Sequence, residues 1–230
     1  MPSEQELNPR IYVFGNDYHW RTAVEPIDDP NGQVDDVSLD MDVGSGPGMP
    51  FAVSLLKQNP DMIIGLIPCA KGNSSIEEWQ KNLSDRTLYG SCLKRVKAAT
   101  TMGKLAGLLI FQGEADTIDP TQHPVKAPTT YGYAEKFSTF VSHFREDVSQ
   151  PNLPVVFAQI GTTTEPKTFA HWKVIKKEQE KIKLPCSAMI KTDDLALKDP
   201  VHFTTESYRI IGLRFAEALL KLTSTAQRCS

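Results

Sequence analysis

From residue 48 onward, apolar runs of strand length alternate with longer amphipathic stretches, the pattern expected when crossover helices bury parallel strands on both faces. Four runs rich in Ile, Leu, Val or Phe and bounded by Pro, Gly or polar residues read as strands: 61–68, 105–112, 153–160 and 188–191. Amphipathic stretches at 50–58, 85–100, 131–148, 166–182 and 204–222 read as helices between and after them. In the last of these, Thr204 suits the N-cap, and Ile210, Ile211, Leu213, Phe215, Ala216, Leu219 and Leu220 give a wide apolar face for docking on a sheet. The order is that of repeated βαβ units, so the expected fold is α/β.

Residues 26–48 break the pattern, being dense in Asp, Gly and Pro with little periodicity. They read as a long surface excursion within a single domain spanning 1–230, and long ordered loops of this kind often line sites.

Composition narrows the function classes. With 40% hydrophobic and 23% charged residues among 230, the chain is ordinary for a globular domain. A net charge of -3 and a pI near 6.0 leave no basic footprint for nucleic acid or an anionic membrane. The longest apolar runs, 62–70 and 105–111, fall well short of the roughly 20 residues that cross a bilayer. The opening MPSEQELNPR has neither the cationic start nor the apolar core of an export signal, which favours a cytoplasmic location. Cys69, Cys92, Cys186 and Cys229 form no C-x-x-C pair and read as buried free thiols, with two disulfides as the alternative. The histidines His19, His123, His143 and His171 are scattered without metal-ligand spacing, so no metal or other cofactor is expected.

In an open α/β sheet, ligands bind beyond the carboxyl ends of the strands. Three segments in such positions carry chemistry. Asp199-Pro200-Val201-His202 lets a carboxylate fold back onto the imidazole, fixing its tautomer and stabilising the imidazolium of a general base. Gln112 and Gly113 leave a buried strand where a side-chain amide and a backbone N–H can meet one developing oxyanion, and Gly72 can add a second N–H from the neighbouring loop. Glu114 and Asp116 add carboxylates that can order this loop or contact histidine or substrate; the competing reading is a solvated acidic turn.

Taken in order, these segments resemble the sialate O-acetylesterase and acetylxylan esterase group of the SGNH hydrolases, carbohydrate esterase family 6. The resemblance rests on RIYVF…W…A.EP (10–26), GSGPGMPFA (44–52), GLIPCAKGNSSIEEW (65–79), FQGEAD (111–116) and DPVHFTTESYRIIGLRFA (199–216). It implies a three-layer α/β/α sandwich with a mostly parallel, flavodoxin-like sheet and an O-acetylesterase acting on sialic acid, a xylan-type sugar or another small ester. It also implies His202 as base, Asp199 as its orienting carboxylate and Gly72 with Gln112 at the oxyanion, with Glu114 close by. Gly46, Pro47, Ser74, Ser75 and Trp79 would lie near the acyl or sugar pocket.

That family opens with a buried strand running into a Gly-Gln-Ser-Asn type turn whose serine is the nucleophile. Nothing before Arg10 is an apolar strand, and Ser3 sits in a polar tail. The expectation is therefore that this segment is missing, with Met1 an internal or misassigned start, or that it is replaced. Ser74 or Ser75 is the weak substitute and Ser45 a weaker one. A sheet lacking its inner strand would expose two edges, to be filled by 11–14, by a strand from a second copy in a homo-oligomer, or by a longer gene product. Two other functions compete: a catalytically impaired carbohydrate-binding or interaction module, and a metal-dependent hydrolase using Glu114, Asp116 and Asp199.

Overall fold

The run Val155–Ala158 is buried at all four positions, as befits a parallel strand covered on both faces. In the computed structural model, which describes residues 7–119, 121, 130–224 and 229, this run is β5. Ahead of it come β1 (Ile11–Phe14), β2 (Trp20–Thr22), α1 (Gly48–Gln58), β3 (Ile64–Leu66), α2 (Leu88–Ala99), β4 (Leu108–Phe111), a 3-10 turn at Ala115–Thr117 and α3 (Tyr133–Asp147). After it come α4 (Trp172–Lys181), β6 (Ser187–Ile190) and α5 (Thr205–Ser224). All four strands and five helices expected from the sequence are present, shortened by a few residues at most of their ends. The hairpin strands β1 and β2 are additions. Three-residue β2 is too short to show a period, and its turn places Tyr18 at φ 63°.

The strands form two three-stranded groups, ordered β2-β1-β3 and β4-β5-β6. Among the named strands of the described residues β1–β2 pair antiparallel, and β1–β3, β4–β5 and β5–β6 pair parallel. Ile11–Phe14 lies between β2 and β3 and pairs with both. One of the two apolar layers nevertheless runs across both groups. On one face α1 and α5 bury Phe51, Leu55, Ile211 and Phe215 against Ile11, Val13, Ile64 and Leu66 of one group and Val156, Ala158 and Ile190 of the other. On the opposite face α2, α3 and α4 bury Leu93, Phe137 and Ile175 against Val155 and Phe157. The result is an α/β/α sandwich with a mostly parallel sheet.

Helix α5 shows how the sequence sets this docking. Thr204 Oγ1 accepts the Ser207 N–H at 3.2 Å, capping the first turn as expected. Ile211, Phe215, Ala216, Leu219 and Leu222 recur on the inner face, each large apolar side chain contributing roughly 1.5–3 kcal/mol on full burial. Leu213 turns out to solvent at 44% exposure. Gly212 is required where α5 crosses the start of α1, since a Cβ there would lie 2.6 Å from the Pro47 carbonyl oxygen.

The excursion at 26–48 contains no helix or strand before its last residue and is tied down by polar bonds. Asp35 accepts from Ser91 Oγ at 2.7 Å and from buried Arg95 at 3.3 Å, and Arg95 also donates to the Pro68 carbonyl at 2.6 Å. Asn16 holds Asp28 at 2.7 Å.

The cysteines are not free thiols. Cys69 bonds Cys92 and Cys186 bonds Cys229, because the fold folds back α2 onto the end of β3 and the C-terminal segment onto the start of β6. Such bonds persist in oxidising compartments, which runs against the location favoured by the opening residues. They close segments of 23 and 43 residues, for which chain entropy gives about 3–4 kcal/mol each. Cys92→Ser and Cys229→Ser should each lower the midpoint of thermal unfolding, and a reducing agent should erase the difference from the parent protein. Unchanged midpoints would count against both bonds. His123 and Ser3 lie outside the described residues.

Candidate active site

The loop after β6 doubles back on itself. Leu197 and Phe203 form an antiparallel bridge, Lys198 N–H donates to the His202 carbonyl at 2.7 Å, and Thr204 N–H to the Ala196 carbonyl at 3.1 Å. Inside this narrow loop Asp199 Oδ1 accepts the N–H groups of Val201 and His202 at 3.1 and 2.9 Å. The imidazole Nδ1 stands 2.9 Å from both carboxylate oxygens. Asp199 therefore both closes the turn and holds the ring, so the turn-capping and ring-orienting readings of D-x-x-H are met together. The His202 side chain is 68% exposed, leaving its far edge open to solvent or ligand. Partial burial works to raise the Asp199 carboxyl, but the two amide bonds and the imidazole outweigh it and hold the group below its usual range. Its contribution to stability is present above the unfolded value near 3.8 and is lost as pH falls through the lower folded one.

The ends of β3 and β4 are stitched together by the second segment. Gln112 Nε2 donates to the Ser74 carbonyl at 3.0 Å and to Asp116 Oδ2 at 2.6 Å. Asp116, fully buried, also accepts the Ile76 N–H at 2.9 Å. The Tyr133 hydroxyl lies 2.8 Å from Gln112 Oε1, and Gln179 Nε2 donates to the Gln112 carbonyl at 3.0 Å. Gly113 takes φ 143°, and a Cβ there would press on Gln179 and Ile160. Glu114 is half-buried at this turn; desolvation pushes its carboxyl up, opposed by its own and Gly113's backbone N–H groups and by the charge of His202. The same desolvation acts on Tyr208 and Tyr133, holding both phenols neutral, with the Glu114 charge adding to the effect.

On the loop after β3, the Gly72 N–H donates to Asp40 Oδ2 at 3.0 Å, and Lys71 Nζ reaches the Leu39 carbonyl at 2.7 Å. Ser74 Oγ donates to the Lys71 carbonyl at 2.7 Å and accepts from the Trp79 indole at 3.0 Å. Ser75 lies under Glu78, whose Oε2 accepts its N–H at 2.9 Å and its hydroxyl at 3.1 Å. Both hydroxyls are thus engaged within their own loop. Gly46 and Pro47 stand at the start of α1, with Gly46 donating to Glu25 and Pro47 packed on Gly212.

The structure thus links Gly72, Ser74, Ser75, Trp79 and Gln112 through adjoining loops and sets Glu114 within electrostatic reach of His202. Four residues of the assembly are not evident from motif reading: Asp40, Glu78, Tyr133 and Gln179. Glu78 carries a local signal, the S-x-x-E spacing from Ser75. The other three meet the site only through long-range folding. Two surface hollows, of ≈ 430 and ≈ 440 Å³, are lined by Asp194, Arg214 and Lys221 and by Lys104, Asp147 and Gln150, and hold none of these residues.

Comparison with known proteins follows the same lines. The family model described as a carbohydrate esterase, sialic acid-specific acetylesterase, matches residues 1–221. A probable carbohydrate esterase of Arabidopsis thaliana is 28% identical over 226 residues, covering 96% of this chain and 78% of the relative. The X-ray structure of an Arabidopsis thaliana protein superposes with TM-score 0.79 at 27% identity, covering 96% of this chain and 84% of that one. Two further structures share the fold at lower identity. A carbohydrate acetylesterase from Xanthomonas citri gives TM-score 0.69 at 17% identity, over 94% of this chain and 50% of that one. NanS gives TM-score 0.68 at 18% identity, over 96% and 90%.

Proposed function

The chain belongs to the sialic acid-specific acetylesterase family of carbohydrate esterases, and from that premise we propose that it removes acetyl groups from an acetylated carbohydrate, a sialic acid or a xylan-type sugar. In this reading His202 takes the proton of the attacking hydroxyl and returns it to the leaving sugar oxygen, and then activates the water that frees the acetyl group from that hydroxyl as acetate. Asp199 fixes the ring and balances its charge. The Gly72 N–H and the Gln112 amide face the developing oxyanion, with Glu114 ordering the turn between them and the base. The acyl or sugar group rests near Gly46, Pro47, Ser74, Ser75 and Trp79. No turn of the Gly-Gln-Ser-Asn type occurs among these 230 residues.

The observation that carries the reading is the imidazole of His202 held 2.9 Å from both oxygens of Asp199 on an otherwise open loop. The test is acetate release from O-acetylated sialic acid and from acetylated xylo-oligosaccharides. Release from either supports the proposal, and none from either, with an aryl acetate equally inert, overturns it.

One observation favours a catalytically impaired carbohydrate-binding module instead. The Gly72 N–H is taken by Asp40, and Gln112 Nε2 donates to two groups of the protein itself, so an oxyanion would have to displace bonds already made. Asp40→Ala discriminates. If Gly72 serves the oxyanion, freeing its N–H should raise kcat/KM for an aryl acetate by up to about ten-fold, a fraction of the 10²–10³ that such donors supply. Sugar binding by titration with no turnover in either protein would select the binding module.

A further inference from the structure

Apolar side chains standing singly on a surface are ordinary, and Tyr131 is set apart by where it is held. It is 76% exposed, and among the described residues no other aromatic side chain is as open. The chain on either side of it is bonded to the turn after β4 that carries Gln112 and Glu114. Thr130 Oγ1 donates to the Asp116 carbonyl at 2.9 Å, and the Tyr133 hydroxyl lies 2.8 Å from Gln112 Oε1. Gly132, at φ 79°, turns the chain between the two tyrosines, so that Tyr133 enters the core and Tyr131 stays out. His171 stands beside Tyr131, the ring centroids 6.3 Å apart and the planes at 59°. The His171 N–H donates to the Thr117 carbonyl at 2.9 Å, which fixes this residue to the same turn. Both residues lie at the starts of helices, α3 and α4, at the carboxyl end of the sheet where ligands of such folds bind. The loop leading to His171 also meets the loop of His202, Thr164 N–H donating to the Pro200 carbonyl at 3.1 Å. From Glu114, which feels the charge of His202, the 3-10 turn runs to Thr117 in three residues of about 2 Å each, roughly 6 Å in all. The two rings thus flank the candidate site at its rim.

We propose that Tyr131, with His171 at its side, is a stacking platform for a neutral sugar unit adjoining the acetylated one, so that the substrate is an oligosaccharide rather than a free monosaccharide. A pyranose presents a face of C–H groups, and an aromatic ring meets it with a flat apolar surface whose negative π face attracts those hydrogens. The sugar hydroxyls, at the rim of the ring, stay in water. The 59° between the two planes makes a corner, which takes one sugar ring flat on Tyr131 with its edge against His171. The Asp119 charge lies within electrostatic reach of His171, so a neutral sugar suits the corner better than an anionic one. The inference rests on the proposed esterase function, which supplies the acetylated carbohydrate.

The test compares the parent with Tyr131→Ala and Tyr131→Phe on two pairs of substrates, acetylated xylotetraose against acetylated methyl xyloside and O-acetylated sialyllactose against free O-acetylated sialic acid. In the pair that is hydrolysed, Tyr131→Ala should lower the ratio of kcat/KM for the longer substrate to that for the shorter by roughly three- to ten-fold, the worth of one aromatic face, and through KM rather than kcat. Tyr131→Phe, which keeps the face, should hold the parent's ratio. An unchanged ratio in Tyr131→Ala, an equal fall for both substrates included, would overturn the proposal, as would a loss in Tyr131→Phe equal to that in Tyr131→Ala. Binding of unacetylated xylotetraose and sialyllactose, followed by titration, needs no turnover. Weaker binding by Tyr131→Ala than by the parent supports the platform even if no ester is cleaved, and no binding of either sugar by the parent overturns it even if an aryl acetate is cleaved. Failure of the platform and failure of the proposed function are therefore separate results.

Discussion

His202→Ala is expected to lower aryl acetate hydrolysis by roughly 10²–10⁴-fold, the range that a positioned general base contributes, without a matching loss of stability. The separation follows from the geometry. The imidazole is 68% exposed and its removal leaves no buried group unpaired. The turn survives it, because Asp199 Oδ1 still accepts the backbone N–H groups of residues 201 and 202. Asp199→Asn should behave differently. It keeps one acceptor for those amides but presents an NH2 group to the ring, favouring the wrong tautomer, so activity falls while the turn weakens modestly. Rates for His202→Ala equal to the parent's would remove the esterase mechanism. A fall in unfolding midpoint as large as that of a core truncation would make His202 structural.

How much of this was legible beforehand depends on the range of each contact. Strands such as Val155–Ala158 and the capped α5 carry their signals within a few residues, so continuous apolar runs and 3.6-residue spacing locate them. The Asp199–His202 contact is local too, closed by a three-residue separation, and can be read from the motif. The cysteines misled because no short spacing marks a bond between residues 23 or 43 apart; only the return of α2 and the C-terminal segment brings them together. Gln112 could be placed at a strand end, but not the fact that its amide is spent on Ser74 and Asp116 while Tyr133 and Gln179 hold its oxygens. Those partners come from four different stretches of chain. Nor does hydrophobic patterning say which strands are neighbours, and so the division of the sheet at β3 and β4 appears only in three dimensions.

The second large effect is expected at Asp116, which sequence reading leaves divided between a solvated acidic turn and a functional carboxylate. It is neither exposed nor in reach of solvent: the residue is fully buried and accepts from the Ile76 N–H and from Gln112 Nε2. Asp116→Ala would strand the Ile76 N–H and one N–H of Gln112 Nε2, whose other N–H stays on the Ser74 carbonyl, in a site too enclosed to hydrate them freely. A buried donor left without a partner costs about 1–3 kcal/mol, so the pair predicts a loss of about 2–6 kcal/mol. For a chain of this size that lowers the unfolding midpoint by roughly 4–24 °C. Asp116→Asn should rescue most of it, because both donors converge on Oδ2, at 2.9 and 2.6 Å, where the amide oxygen can stand. In the folded fraction the loops after β3 and β4 lose their main tie, so Gln112 should become mobile and acetate release should fall beyond the loss of folded protein. A midpoint within about 2 °C of the parent's would show that water replaces the carboxylate, and unchanged turnover per folded molecule would take Gln112 out of the chemistry.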